Sequence, residues 1–141
     1  MTIHDTWPAS PAHPAGPLAW FRVFAAVPAQ AREARRSLAR VLDGHPAAHD
    51  AALCVAELTA NAVLHSKSRE PGGQFTVRAE IRPGDRLRVE VHDGGGPWTP
   101  PAPGDDQHGR GLLIVSHLAL DWGRTAESDT GRIVWFEIEC P

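Results

Sequence analysis

The chain has 141 residues and a mass of 15.2 kDa, with 42% apolar and 22% charged residues and a formal net charge of −3. A domain near this size hides roughly 68–70% of the surface its unfolded chain exposes, so a real core needs neither disulfide nor metal, and a second full domain is excluded. Thirteen arginines and one lysine, scattered along the chain against 17 acids, exclude nucleic acid as the main partner.

Residues 1–17 carry Pro8, Pro11, Pro14 and Pro17 and little to bury, which predicts a flexible polyproline-II-like arm ahead of a globular domain over 18–141. MTIHDTWPAS has neither a basic start nor an apolar signal core, and no stretch reaches the roughly 18–20 apolar residues of a membrane span. A soluble cytoplasmic protein is expected. LAWFRVFAAV (18–27) reads as a strand ended by Pro28. The period then changes. Over 29–43, Ala31, Ala34, Leu38, Val41 and Leu42 share one helical face, with Arg32, Arg35, Arg36 and Arg40 on the outer one.

A second helix is predicted from Pro46 to His65, with Leu53, Cys54, Val55, Leu58, Ala62 and Val63 apolar. FTVRAEIR (75–82) and RLRVEVH (86–92) alternate with period two around a Pro83-Gly84-Asp85 turn, the pattern of half-buried strands. Residues 93–111 hold too many glycines and prolines for either regular element, and loops of that length are usually functional. LLIVSHLAL reads as a short buried helix. A strand over Leu120–Arg124, a turn at 128–131 and a last strand over Arg132–Glu139 follow, with Val134, Phe136 and Ile138 on one face and Trp135 on the other. The sum is an α/β two-layer sandwich, a mostly antiparallel sheet covered on one face by helices.

Glu57, Asn61 and His65 fall at i, i+4 and i+8 of the second helix and form one ridge beside apolar positions. A carboxylate and an amide there can offer oxygens to a hard cation and a base to a proton donor, and Mg²⁺ takes only one or two protein ligands beside phosphates and water. The same spacing also makes a plain polar stripe. Asp93 stands where a strand ends and three glycines begin. A carboxylate there can accept from an exocyclic amine while Gly95 lets a flat ring approach, or Asp-Gly can simply turn the chain. Gly109-Arg110-Gly111-Leu112 opens a helix, where glycines free N–H groups at the positive end of the dipole to meet phosphate. His45 and His49 have metal-ligand spacing, but Gly44 and Pro46 put them at a helix start and no third ligand is evident. Cys54 and Cys140, far apart and outside any CxxC, read as buried or idle thiols.

Taken in order, ELTANAVLHS (57–66), VEVHDGGGP (89–97) and GRGLLIVSHL (109–118) resemble the N-box and the two glycine boxes of the GHKL ATPases, the family shared by gyrase, a chaperone class, histidine kinases and MutL. Within it the chain is most similar to the short stand-alone anti-sigma-factor serine kinases of RsbW type, over about residues 18–139. The resemblance implies a Bergerat-type fold that binds ATP with Mg²⁺. It implies that Glu57 is the general base, that Asn61 binds Mg²⁺ and that Asp93 contacts the adenine amine with Gly95 beside the ring. Gly109, Arg110, Gly111 and Leu112 would lie along the phosphates, His65 would add a contact, and residues 97–108 would form the ATP lid. No H-box precedes the module, so a serine/threonine kinase is expected rather than a histidine kinase. It would phosphorylate an anti-sigma-factor antagonist and sequester a sigma factor, possible homodimer formation included. A non-catalytic nucleotide- or partner-binding module of the same fold is the alternative. Three departures stand out: Pro97 ends the first glycine box, the lid is rich in proline, and Ile133 stands near the place where the closing strand often carries a threonine supporting the adenine-binding acid.

Overall fold

A computed structural model describes residues 18–65, 71–81, 86–94, 113–125 and 131–139. The expected proline-rich arm, the 83–85 and 128–130 turn residues and the 97–108 lid lie outside the described residues. The elements in chain order are β1 (Leu18–Ala25), α1 (Pro28–Val41), α2 (Ala48–His65), β2 (Gln74–Ile81), β3 (Arg86–Asp93), β4 (Asp121–Thr125) and β5 (Arg132–Glu139). The five strands form one sheet in the order β1-β2-β3-β5-β4, and each of the four pairings is antiparallel. The expected α/β sandwich is therefore present, with its sheet antiparallel throughout the described strands.

Period-two alternation decides which side of the sheet is covered. Phe75, Val77, Ala79 and Ile81 of β2, Leu87, Val89 and Val91 of β3, and Val134, Phe136 and Ile138 of β5 are all buried on the helix side. Trp20 and Phe24 of β1 join them, and Phe24 stacks on its register partner Phe75 with ring centroids 5.3 Å apart, a pair worth about 0.5–1.5 kcal/mol beyond its buried area. Above this floor α1 contributes Ala34, Leu38 and Val41, and α2 contributes Ala51, Cys54, Val55, Leu58 and Ala62. The buried Thr59 hydroxyl is satisfied inside α2 by donating to the Val55 carbonyl at 2.8 Å.

Boundaries shift for identifiable reasons. β1 ends at Ala25, because Val27 is already the extended residue (φ −128°, ψ 154°) preceding Pro28 at the first turn of α1. α2 begins at Ala48, two residues after Pro46. His45 Nδ1 accepts the Ala47 N–H at 3.0 Å, so His45 orders the helix entry, and Gly44 makes the preceding turn at φ +81°. The segment expected as a buried helix forms helical turns over 113–118, yet Val115 alone is fully buried there, while Leu113 and Ile114 are 55% and 36% exposed. Fewer than two turns bury one residue fully and rest only Leu118, partly buried, against the core. Ser116 ties these turns to β4 by accepting the Trp122 Nε1–H at 3.1 Å.

The opposite sheet face is polar and cross-linked. Arg88 reaches Glu90 at 2.9 Å and Glu137 at 3.0 Å, Arg86 reaches Glu137 at 2.7 Å, and the Arg88 guanidinium lies 4.4 Å over the Trp135 ring. Trp135 lies flat because its register partner is Gly123, where a Cβ would come within 3.1 Å of the indole. No helix among the described residues is long and apolar enough to cross a membrane.

Candidate functional site

α2 lies across β3 and β5 on the covered face, and its polar ridge comes from helical spacing. Glu57 and Asn61, one turn apart, are both half-buried. Among the described residues neither forms a hydrogen bond or an ion pair with another side chain. Two polar groups left without protein partners on a half-buried helix face are available to a cation, a phosphate-bound water or a hydroxyl. The His65 side chain lies outside the described residues, as do Gly95, Gly109, Arg110, Gly111 and Leu112. The structure therefore brings Glu57 and Asn61 together on one helix, and residues 95–112, which include the expected glycine contacts, lie outside the described residues.

Asp93 is the last residue of β3 and falls on the same face as Val91 and Val89, so its side chain enters the layer between sheet and helices. Its register partner is Arg132, the first residue of β5. Arg132 Nη2 donates to Asp93 Oδ2 at 2.9 Å and Nε donates to the same oxygen at 3.3 Å, and the two side chains are only 1% and 2% exposed for Arg132 and Asp93 respectively. A carboxylate this buried keeps its charge only beside a compensating cation. Ile133, near the place where a supporting threonine is expected, is the register partner of His92. The support for the acid comes one residue earlier, from a different chemistry.

Arg132 was not singled out in the sequence, although a signal was present. Ile138, Phe136 and Val134 define the buried face of β5, and one more step of two reaches Arg132. An arginine on a buried face needs an acid, and Asp93 ends the neighbouring strand. The same step in β1, from Phe24 and Trp20, lands on Arg22. Its Nη1 donates to the buried Ser37 hydroxyl at 2.8 Å and approaches Glu33 at 3.4 Å. Arg40 donates to Glu33 at 3.1 Å. That bond, outweighing partial burial and helped by Ser37, holds the Glu33 carboxyl below the usual carboxylate range. Cys54, on the buried side of α2, has its thiol pushed up to about 12 by burial and, to a lesser degree, by Asp50 and Glu57. It is an inert core residue rather than a nucleophile.

α1 and α2 leave a groove of about 260 Å³ between them, lined by Ala31, Ala56, Val63 and Leu64 and by the exposed Arg32 and Arg35. Among the described residues neither arginine has an acidic partner, whereas Arg36 and Arg40 both lean on Glu33. No group of three or more His, Cys, Asp or Glu side chains converges to hold a metal ion among the described residues. A single amide oxygen beside bound phosphates would not require one.

A family model described as the histidine kinase-like ATPase domain matches residues 24–138, from Phe24 in β1 to Ile138 in β5. No curated protein matches the chain.

Proposed function

The chain belongs to the histidine kinase-like ATPase domain family, and from that premise we propose that it is a regulatory protein that binds Mg·ATP and phosphorylates a serine or threonine of a partner protein. The observation that carries this reading is the pairing, within one family domain, of two polar groups on α2 that have no side-chain partner among the described residues with a buried acid bridged to an arginine at the end of β3. Each has a part to play in phosphoryl transfer, which asks mainly for positioning and charge neutralisation.

In this reading Asp93 accepts the exocyclic amine of adenine. The Asn61 amide oxygen is the protein ligand to Mg²⁺, which would supply charge neutralisation at the phosphates. Glu57 takes the proton from the incoming hydroxyl as its oxygen bonds to the γ-phosphorus and the bond to the ADP oxygen breaks. The partner is an anti-sigma-factor antagonist, and a sigma factor is held when that antagonist is absent. The α1–α2 groove supports a protein partner, because it offers apolar surface flanked by two arginines that have no acidic partner among the described residues.

The test is calorimetric titration with ATP, with and without Mg²⁺, on the wild type and Asn61→Ala. Saturable binding that needs Mg²⁺ and fails in the variant is the expected result. No binding at millimolar ATP would refute the nucleotide site. Given binding, transfer of labelled phosphate to a captured partner should be lost in Glu57→Gln while ATP affinity is kept, and undiminished transfer would remove Glu57 as the base.

A further inference from the structure

We infer that Arg132 is a positioning residue for the nucleotide base: it holds the Asp93 carboxylate ionised and in one orientation, and so makes the site select a 6-amino purine over a 6-oxo purine. The inference rests on the reading above that Asp93 meets the base.

Position comes first. Arg132 and Asp93 are directly opposed in the β3–β5 register, at the ends of two strands that α2 covers, and both project to the covered face. Both side chains are buried, 1% and 2% exposed, so the contact between them is little screened by water. Nε and Nη2 of one planar guanidinium converge on a single carboxylate oxygen at 3.3 and 2.9 Å, which fixes the plane and rotamer of the acid through two contacts rather than one.

The chemical consequence concerns the proton. An ionised carboxylate only accepts hydrogen bonds, whereas a protonated one also donates. Without a cation, a carboxyl buried to this degree favours its neutral form, and a neutral acid can donate to a purine carbonyl as readily as it accepts from an amine. With Arg132 in place the acid repels a carbonyl oxygen at the same point and rewards an amine. Fold stability offers no comparable reason for an arginine here. A valine or isoleucine would continue the buried alternation of Val134, Phe136 and Ile138 without the desolvation cost of an ion pair.

The experiment compares ATP with inosine triphosphate, which carries a carbonyl where adenine carries its amine, by calorimetric titration of the full chain. The variants are Arg132→Met, Arg132→Lys and Asp93→Asn, each checked for folding by circular dichroism. The wild type should prefer ATP by at least about tenfold, the scale of one hydrogen bond to a charged group. Arg132→Met should weaken ATP by at least about tenfold and leave inosine triphosphate essentially unchanged, collapsing the preference. Arg132→Lys keeps the charge without the planar two-point grip, and should retain the direction of preference while reducing it at least about threefold. A folded Arg132→Met with the wild-type preference overturns the inference. If Arg132→Met does not fold, an Arg132→Lys preference equal to the wild type overturns it instead. Asp93→Asn separates the two layers of argument. If it keeps the preference, or if the wild type binds neither nucleotide, the reading of Asp93 as the base acceptor falls and the inference with it. If it loses the preference while Arg132→Met keeps it, the role of Arg132 alone falls.

Discussion

Replacing Arg132 with methionine removes the only charge that the β5 side of the pair contributes while keeping most of its volume, and leaves the Asp93 carboxylate in a place where 2% of the side chain meets solvent. Breaking a buried pair from one side typically costs about 3–5 kcal/mol, because the remaining carboxylate must stay uncompensated or take up a proton. An exposed pair such as Arg36–Glu33, with 3.8 Å between charges and Arg36 66% exposed, is worth about 0–1 kcal/mol. Against a total stability of about 5–15 kcal/mol, the first change removes roughly a fifth or more and the second is hard to detect. For a domain of this size each kcal/mol corresponds to about 4 °C, so Arg132→Met should melt about 12–20 °C lower and Arg36→Ala within about 4 °C of the wild type. Urea unfolding followed by tryptophan fluorescence measures both. In the double variant Asp93→Asn/Arg132→Met, most of the cost should be recovered, since amide and thioether leave no charge behind. Additive single costs in that cycle, or a loss below about 1 kcal/mol for Arg132→Met, would refute the claim that the pair acts as one buried unit.

Three further outcomes follow from the packing. Gly123→Ala places a Cβ 3.1 Å from the Trp135 ring, which Arg88 covers, so the variant should lose about 1 kcal/mol in thermal melting, and an unchanged midpoint would mean that the indole has room to move. Burial pushes the Glu90 carboxyl up, but hydrogen bonds from Arg88 and His92 outweigh it, so its folded pKa lies below the unfolded one. The stability it contributes is therefore full above about pH 4.3 and lost as the pH falls through the depressed folded value. Glu90→Gln should accordingly be less stable than the wild type at pH 6 and converge with it in acid, and a constant difference from pH 6 to 3 would contradict the assignment. In a Cys140→Ala background, Cys54 should resist a thiol reagent in the native state and react fully in urea, because the thiol is fully buried and pushed up to about 12. Rapid native labelling would show that α2 opens.

How far the molecule could be read in advance varies by element. β2, β3 and β5 alternate with a strict period of two, and their bounds differ from the expected ones by at most one residue. α1 carried its apolar stripe openly, but it runs from Pro28 to Val41 rather than over 29–43, with Pro28 serving as its first-turn residue as well as the strand's stop. The LLIVSHLAL segment misled because it opens on four consecutive apolar residues, which suggest burial, while the number of faces a helix buries depends on what packs around it, and here one face does. For the site, Glu57 and Asn61 were legible as a helical ridge, and Asp93 as an acid at a strand end. The glycines and Arg110 carry their weight through sequence pattern alone.

Local order along the chain, the 2.0 and 3.6 periods and the punctuation by proline and glycine, was enough to determine the two-layer class, the faces and the polar ridge. Those signals act within a few residues. The strand order β1-β2-β3-β5-β4 is a long-range outcome, and it is this order that inserts β5 between β3 and β4 and sets Arg132 opposite Asp93, 39 positions away in the chain. Whether a buried charge is a liability or a tuned part of a site depends on its neighbour across the sheet. That neighbour is chosen by tertiary pairing, because desolvation and Coulomb energy depend on distance in space and not on separation along the sequence.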